Sequence, residues 1–173
     1  YAEQFFGEWK GSLPTQPVPP SGTAKEWKPV NVVIDMPEAG QAAVSVARPG
    51  VKRSSPDYYA GIVANASLGT GFVSRLNREI QIKRGLSYGA RSSLEARRDV
   101  GPFIATAQTK NESAAEVAKL MQIELKRLKT DPVQGDELKS RQAVLVGSYA
   151  RSLETNGGYV GKVSAMITND LPL

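Results

Sequence analysis

The stretch LGTGFVSRLNREIQIKRGLSYGARSS, residues 68–93, decides the fold. Its first half carries apolar residues three and four positions apart, a spacing that predicts a helix over about 73–84. Gly85 follows directly, and glycine commonly ends a helix because it accepts the left-handed backbone conformation found there. After the glycine, a strand is predicted over about 87–97. The stretch therefore sets a helix, a sharp turn and a strand in immediate succession.

Upstream of this stretch, two strands and one helix are predicted. The β-branched run at 31–36 and the alternating pattern at 41–48 are typical of strands, and the sequence PEAG between them supplies a turn. The helix begins near Pro56 with Ser55 as its cap, because proline is well suited to the first helical position. It ends at the glycines that open the stretch.

Downstream, one strand and three helices are predicted. Apolar and polar side chains alternate over 102–109, which predicts a strand with one buried face. Apolar residues at helical spacing predict helices over about 112–129, 134–153 and 158–168. Ser113 and Glu116 have the spacing of a capping box, in which each side chain bonds the other's backbone N–H.

The order of these elements, β-β-α-α-β-β-α-α-α, indicates the fold class. Neighbouring strands come in hairpin pairs, so the sheet is predicted to be largely antiparallel. The helices are predicted to pack together on one of its faces. The fold class is therefore α+β rather than a doubly wound parallel sheet.

Three segments are expected along the chain. Residues 1–12 are typical of the end of a helix and are expected to be the tail of a preceding domain. Residues 13–29 hold five of the eleven prolines, which predicts an extended, stiff linker. Residues 30–173 are expected to form the α+β domain.

The composition excludes several kinds of chemistry. The 173 residues include no His and no Cys, so the chain has no thiolate metal site and no Ser-His-Asp triad. The net charge of +5 comes without any nucleic-acid-binding motif, so a nucleic-acid partner is the least favoured interpretation. No apolar run approaches the roughly 20 residues that a membrane-spanning helix needs.

Three stretches, taken in order, resemble a known family. LGTGFVSRLNREIQIKRGLSYGARSS, GPFIATAQT and PVQGDELKSRQAVLVGSY are similar, in sequence and order, to the C-terminal-half domain of pitrilysin/insulinase-type zinc metallopeptidases. This group includes mitochondrial processing peptidase, and the resemblance covers nearly the whole chain. It implies the processing-peptidase-like metallohydrolase fold. It also implies that such a domain continues beyond residue 173, so the domain is expected to be incomplete at its C-terminus.

The resemblance implies where the metal is bound. Zinc in such enzymes is held by a His-x-x-Glu-His motif and a distal Glu in the N-terminal half, and that motif is absent here. No cofactor is therefore expected in this chain, and zinc is expected in a partner domain or subunit. The partners implied are that zinc-binding peptidase domain and a peptide substrate. The chain is expected to be part of a zinc metalloendopeptidase and inactive alone.

The resemblance also implies site residues. The C-terminal half of the family contributes an Arg–Tyr pair to a closed active chamber, with the Arg seven residues before the Tyr. Tyr88 matches the tyrosine, whereas Gln81 stands in the arginine's place. Gln81 can donate to a carbonyl but without charge assistance, and Arg84 is a candidate for the missing charge. Tyr88 is thus implied as catalytic, and Gln81, Arg84 and Tyr88 as substrate-binding.

Several alternatives stay open at this point. Taken by itself, Tyr88 fits a strand tyrosine that packs its ring, and Gln81 fits a polar residue on an exposed helix face. Arg75 and Glu79 are four positions apart, which predicts a surface ion pair. Loss of the arginine at position 81 also fits a catalytically inactive interaction or scaffold subunit. A sheet edge left bare predicts a homodimer, and the resemblance suggests a bacterial, periplasmic protein.

Overall fold

The computed structural model describes residues 1–11 and 28–172, which fall into two units, Tyr1–Pro37 and Glu38–Leu173. The first unit contains the short helix α1 (Ala2–Phe6), after which the rings of Phe6 and Trp9 meet edge to face at 5.2 Å. The linker predicted at 13–29 lies almost entirely outside the described residues. The division into tail, linker and domain therefore stays a prediction.

The strand predicted at 31–36 is wrong. These residues have no regular secondary structure, and Val32, Val33 and Ile34 are largely exposed. The preference of β-branched residues for strands is mostly a preference for packing against neighbouring strands, so composition alone does not form a strand. The turn expected from PEAG is present at residues 37–38.

Apart from the missing strand at 31–36, the elements follow the α+β order that the sequence predicts. In chain order the second unit contains β1 (Ala42–Pro49), α2 (Tyr58–Gly69), α3 (Arg75–Asn77), a π-helical segment (Arg78–Ile82), β2 (Ala90–Leu94), β3 (Pro102–Thr109), a 3-10 turn (Asn111–Ser113), α4 (Ala114–Thr130), α5 (Gly135–Ser152) and α6 (Asn156–Thr168). None of the helices in the described part of the chain is long and apolar enough to cross a membrane.

The sheet has three strands in the order β1-β3-β2, and both pairings are antiparallel, as predicted. Side chains alternate along the central strand. Phe103, Ala105 and Ala107 are buried, whereas Thr106 is half-buried and Gln108 exposed. The buried set faces the helices and the other set faces away from them, because successive side chains of a strand point to opposite faces.

Helices α2 and α4 pack on the buried face. Leu68 of α2 and Val117 and Met121 of α4 are fully buried against the sheet residues, together with Leu76 and Ile80. At about 25 cal/mol per Å² of apolar surface, each such side chain contributes about 1.5–3 kcal/mol of burial free energy. This layer covers one face of the sheet, and no helix of the described part of the second unit packs on the other face.

The helix predicted at 73–84 forms as α3 followed by the π-helical segment, in which the Lys83 N–H donates to the Arg78 carbonyl at 2.9 Å. Gly85 ends it with a φ of 63°, as predicted. The Gly85 N–H donates to the Gln81 carbonyl, and the Leu86 N–H donates to the Ile80 carbonyl. A π-turn adds a residue to one turn of a helix and is often found at functional sites.

Two local interactions predicted from spacing are wrong. Arg75 does not pair with Glu79; it is buried and bonds Glu137, while Glu79 bonds Lys83 and Arg84. A buried guanidinium needs a partner within the interior, and Glu137 on α5 provides one. The capping box is also absent, because Ser113 belongs to a 3-10 turn and forms no side-chain cap bond.

Candidate functional site

The sheet face opposite α2 and α4 forms the floor of an open cleft of about 660 Å³. The antiparallel register sets Ser45, Thr106 and Arg91 side by side across β1, β3 and β2. All three residues line the cleft, together with Gln81 from the π-helical segment and Tyr88 from the turn before β2. The cleft therefore brings together two of the three site residues implied by the resemblance.

The backbone on both sides of Tyr88 is held by side-chain hydrogen bonds. The Ser87 hydroxyl donates to the Gly89 carbonyl at 2.8 Å and accepts from the Gly89 N–H at 3.1 Å, which closes a small turn around Tyr88. The Thr109 hydroxyl at the end of β3 donates to the Leu86 carbonyl at 2.5 Å. The turn is thus tied to the end of the central strand.

Asn77 ties the other end of this turn to the helix. Its side-chain oxygen accepts from the Ala90 N–H at 3.1 Å, and its amide nitrogen donates to the Phe72 carbonyl at 2.7 Å. Asn77 is only 4% exposed, and its bond to Ala90 is buried, which shields that bond from water. The Ala90 N–H is the first backbone donor of β2. It is bonded by the Asn77 side chain and not by the backbone of a neighbouring strand.

The Tyr88 ring extends into solvent from this anchored turn. The residue is 94% exposed, which is the opposite of a tyrosine that packs its ring in a core. A phenol on a fixed backbone and in open space is available to a ligand. The structure therefore does not support the alternative in which Tyr88 packs its ring against the core.

Gln81 and Arg84 have different surroundings. Gln81 is half-buried and lines the cleft. Arg84 is not among the lining residues; its guanidinium donates to the Glu79 carboxylate at 2.6 Å and to the Glu79 carbonyl at 3.0 Å. Hydrogen bonds from Lys83 above all, and from Arg84, hold the pKa of Glu79 below its usual range. Arg84, the residue suggested to replace the missing arginine charge beside Gln81, is thus already paired with Glu79.

Sequence reasoning missed Arg91 and Asn77. Arg91 lies on the cleft face because its register partner is Thr106, and that register depends on the length and path of the connection between β2 and β3. Asn77 is a polar residue among the apolar positions of the predicted helix, and this pattern could have identified it. A buried amide side chain almost always has defined hydrogen-bond partners.

The described residues offer no place for a metal ion. Within residues 1–11 and 28–172, no group of three or more acidic, His or Cys side chains is close enough to bind one. The full sequence has no His and no Cys, which are the usual ligands of zinc. The residues present therefore do not fit a zinc site.

The chain is similar to several known proteins. A family model described as the peptidase M16 inactive domain matches residues 1–145. An uncharacterized zinc protease of Streptomyces coelicolor is 31% identical over 123 residues, which cover 71% of this chain and 27% of that protein. A crystal structure of a peptidase M16 inactive domain from Pseudomonas fluorescens superposes with a TM-score of 0.72 and 34% identity, covering 78% of this chain and 32% of that one.

A more distant structure shows the same fold. A protease from Helicobacter pylori superposes with a TM-score of 0.70 at 20% identity, over 78% of this chain and 33% of that one. The chain spans about a quarter of the Streptomyces protease and about a third of these two solved chains. The likeness at 20% identity concerns the fold alone.

Fold and cleft together define a peptidase-type α+β domain with an open, polar sheet face. The chain belongs to the peptidase M16 family and is a match to its inactive domain, which lacks the zinc site. The resemblance to zinc metallopeptidases and the α+β fold class, both predicted from the sequence, are confirmed.

Proposed function

We propose that this chain is the non-zinc-binding half of a zinc peptidase and that it binds the peptide substrate in the cleft. The exposed Tyr88 phenol on an anchored turn carries this proposal. The similarity to a Streptomyces coelicolor protein named as a zinc protease supports the peptidase class. The zinc belongs to a separate peptidase domain or subunit, which supplies the activated water for hydrolysis.

Tyr88 is proposed to stabilise charge during the reaction. When a peptide bond is hydrolysed, its carbonyl oxygen gains negative charge, and a donor aimed at that atom lowers the barrier. The Tyr88 hydroxyl can donate such a hydrogen bond. Because the turn is already held by Ser87, Thr109 and Asn77, the phenol needs little backbone reorganisation to reach its position.

Gln81 and Arg84 are proposed to have unequal parts in substrate binding. Gln81 lies in the cleft and can hold a substrate carbonyl through its amide N–H. Arg84 can contact substrate only by exchanging its bonds to Glu79, so its contribution is expected to be smaller. A neutral Gln81 binds a carbonyl less strongly than an arginine, because charge-assisted hydrogen bonds are about twice as strong.

Substitution of Tyr88 by phenylalanine tests this function in the complete peptidase, zinc-binding half included. Loss of one oxyanion donor is expected to lower kcat by about 100-fold, with little change in KM and none in zinc content. Tyr59→Phe is the matched control, since Tyr59 is 67% exposed and does not line the cleft. Equal kcat for Tyr88→Phe and the parent would remove Tyr88 from the mechanism.

A scaffold subunit is the second candidate function, and the neutral Gln81 favours it. In that case the chain holds a partner or a folded assembly together without taking part in hydrolysis. The complete protein would then cleave no peptide, or would cleave equally well with Phe in place of Tyr88. Peptide cleavage and zinc content, measured together on the complete protein, separate the two functions.

The homodimer stays a prediction, and β1 is the proposed edge for it. On β2, Asn77 accepts from the Ala90 N–H and Asn65 donates to the Ser92 carbonyl at 3.4 Å, so side chains occupy that edge. β1 forms the opposite edge of the three-stranded sheet. Sedimentation velocity at increasing concentration is expected to show a dimer, and a monomer throughout would contradict it.

A further inference from the structure

Among the described residues that line the cleft, Arg91 is the only charged one. The other lining residues within 1–11 and 28–172 are small, apolar, hydroxyl-bearing or amide-bearing, and none of them is Asp, Glu or Lys. The positive charge of the cleft therefore comes from a single, known position on β2. In a region without competing acids, one guanidinium sets the sign of the local potential.

Arg91 is also unpaired in the described part of the chain. Among residues 1–11 and 28–172 it takes part in no ion pair and no side-chain hydrogen bond. Arg75 and Arg84 differ from it, since both bond glutamates. A guanidinium has five N–H donors in a fixed fork, and those of Arg91 are free to bind a ligand.

The neighbours of Arg91 extend the donor set. Thr106 is its direct register partner on β3, and Ser45 is the register partner of Thr106 on the far side. Hydroxyls can donate to the same anion that a guanidinium holds. Tyr88 is three residues before Arg91 and lines the same cleft, so a ligand bound at Arg91 occupies the cleft that holds the proposed reaction centre.

We infer that Arg91 is a specificity residue that binds a carboxylate of the peptide substrate in this cleft. This inference rests on the proposed function and deepens it by naming a substrate class: peptides with a carboxylate close to the scissile bond. An arginine and a carboxylate form two parallel hydrogen bonds, a geometry that Gln81 cannot reproduce. The carboxylate belongs either to an acidic side chain or to the peptide's C-terminus.

Matched peptide pairs test the inference on the complete peptidase. One pair differs by Glu against Gln near the cleavage site, and the other by a free against an amidated C-terminus. The parent is expected to prefer the carboxylate member of one pair by about tenfold in kcat/KM, the size expected for one charged hydrogen-bonded contact. The preference is expected to shrink as salt is raised, because the contact is exposed.

Variants of Arg91 identify the residue responsible. Arg91→Gln is expected to abolish the preference, so that kcat/KM is equal for both peptides of a pair. Arg91→Lys is expected to keep part of the preference. Arg151→Gln removes the same charge from an exposed position on α5 and is expected to leave the preference intact. Tyr88→Phe lowers turnover on both members of a pair equally, so loss of the proposed catalytic role does not imitate loss of this one.

Binding measurements keep the inference testable if no cleavage occurs. The same labelled peptide pairs are titrated in the presence of a zinc chelator, with fluorescence anisotropy as the readout. A carboxylate preference that disappears in Arg91→Gln supports the inference even where the catalytic function fails. Equal affinity for both members of both pairs, or a preference that Arg91→Gln retains, overturns it.

Discussion

Arg75 and Glu137 form a forked ion pair in which Arg75 Nε donates to Oε1 at 3.0 Å and Nη2 donates to Oε2 at 2.6 Å. The pair joins α3 to the start of α5, and the Ser67 hydroxyl on α2 also donates to Glu137. Arg75 is 7% exposed, and Glu137 is the nearer of its two carboxylate partners, since the Asp131 carboxylate lies 3.8 Å away. Three helices behind the sheet are thus joined by one carboxylate.

Replacing Glu137 by Gln is expected to lower the free energy of unfolding by about 2 kcal/mol, because the buried guanidinium loses its nearer counter-charge and keeps only the Asp131 carboxylate at 3.8 Å. Urea unfolding followed by circular dichroism measures the change. Glu95→Gln is the control, since the Glu95–Arg97 pair is exposed and is expected to contribute about 0.5 kcal/mol or less. Equal losses in the two variants would contradict the prediction.

The pH dependence of stability follows from the same pair. The hydrogen bond from Arg75 lowers the pKa of Glu137 from 4.5 to about 2. A lowered pKa in the folded state stabilises the protein fully above pH 4.5, and this contribution is lost as the pH falls towards 2. The parent is therefore expected to lose more stability than Glu137→Gln over that interval.

Urea midpoints of both proteins at a series of pH values measure this difference. Glu79 also has a lowered pKa, so Glu137→Gln is expected to keep a smaller dependence of its own. Parallel curves for parent and variant would show that Glu137 titrates as an ordinary surface carboxylate.

Gly69 provides a third test, at the contact of α2 with β2. A Cβ at this position would lie 2.2 Å from the backbone nitrogen and the hydroxyl oxygen of Ser92. Gly69→Ala is therefore expected to destabilise the domain by about 1–3 kcal/mol through overpacking. The cause is that the helix and the strand must separate to admit the methyl group. Thermal unfolding measures the loss of stability.

Gly161 is the matched control within a helix. It lies inside α6, and a Cβ there meets no atom within 4 Å. Gly161→Ala is expected to raise stability by about 0.5–1 kcal/mol, since alanine is the better helix former. A destabilisation of Gly161→Ala as large as that of Gly69→Ala would show that packing against Ser92 is not the cause.

The contrast between predicted and observed elements has a physical origin. The strand 102–109 and the helix stop at Gly85 depend on local periodicity and backbone conformation, and both were predicted correctly. The strand at 31–36 and the Arg75–Glu79 pair depended on what the rest of the chain places nearby, and both were wrong. Local sequence contains periodicity and backbone preference, but it does not contain the identity of the neighbours that the fold brings together.

The candidate site divides in the same way. Tyr88 and Gln81 came from a family resemblance, and the structure brings both to one cleft. Arg91 depends on strand register, which periodicity does not fix, and the pairing of Arg84 with Glu79 depends on the π-turn between them. Both features depend on the folded arrangement of segments and not on local sequence.

The role of Asn77 in holding the Tyr88 turn is tested by hydrogen exchange. Asn77→Ala removes the acceptor of the Ala90 N–H, so that amide is expected to exchange faster with solvent, without global unfolding. Thr109→Val is the control, because it frees the Leu86 carbonyl and leaves the Ala90 bond in place. Unchanged Ala90 exchange in Asn77→Ala would mean that another group satisfies this donor.

The last prediction separates a weakened enzyme from a scaffold. Gln81→Arg places a guanidinium in the cleft wall, seven residues before Tyr88, and this charge can hold a substrate carbonyl with a charge-assisted bond. In the complete peptidase, kcat/KM for peptide cleavage is expected to rise about tenfold.

The control variant Gln142→Arg adds the same charge at an exposed position of α5 and is expected to leave kcat/KM unchanged. A rise in both variants would indicate general attraction of the peptide by charge, and it would disappear at high salt. No rise in Gln81→Arg, combined with no effect of Tyr88→Phe, would favour the scaffold, because neither member of the Arg–Tyr pair would then influence hydrolysis.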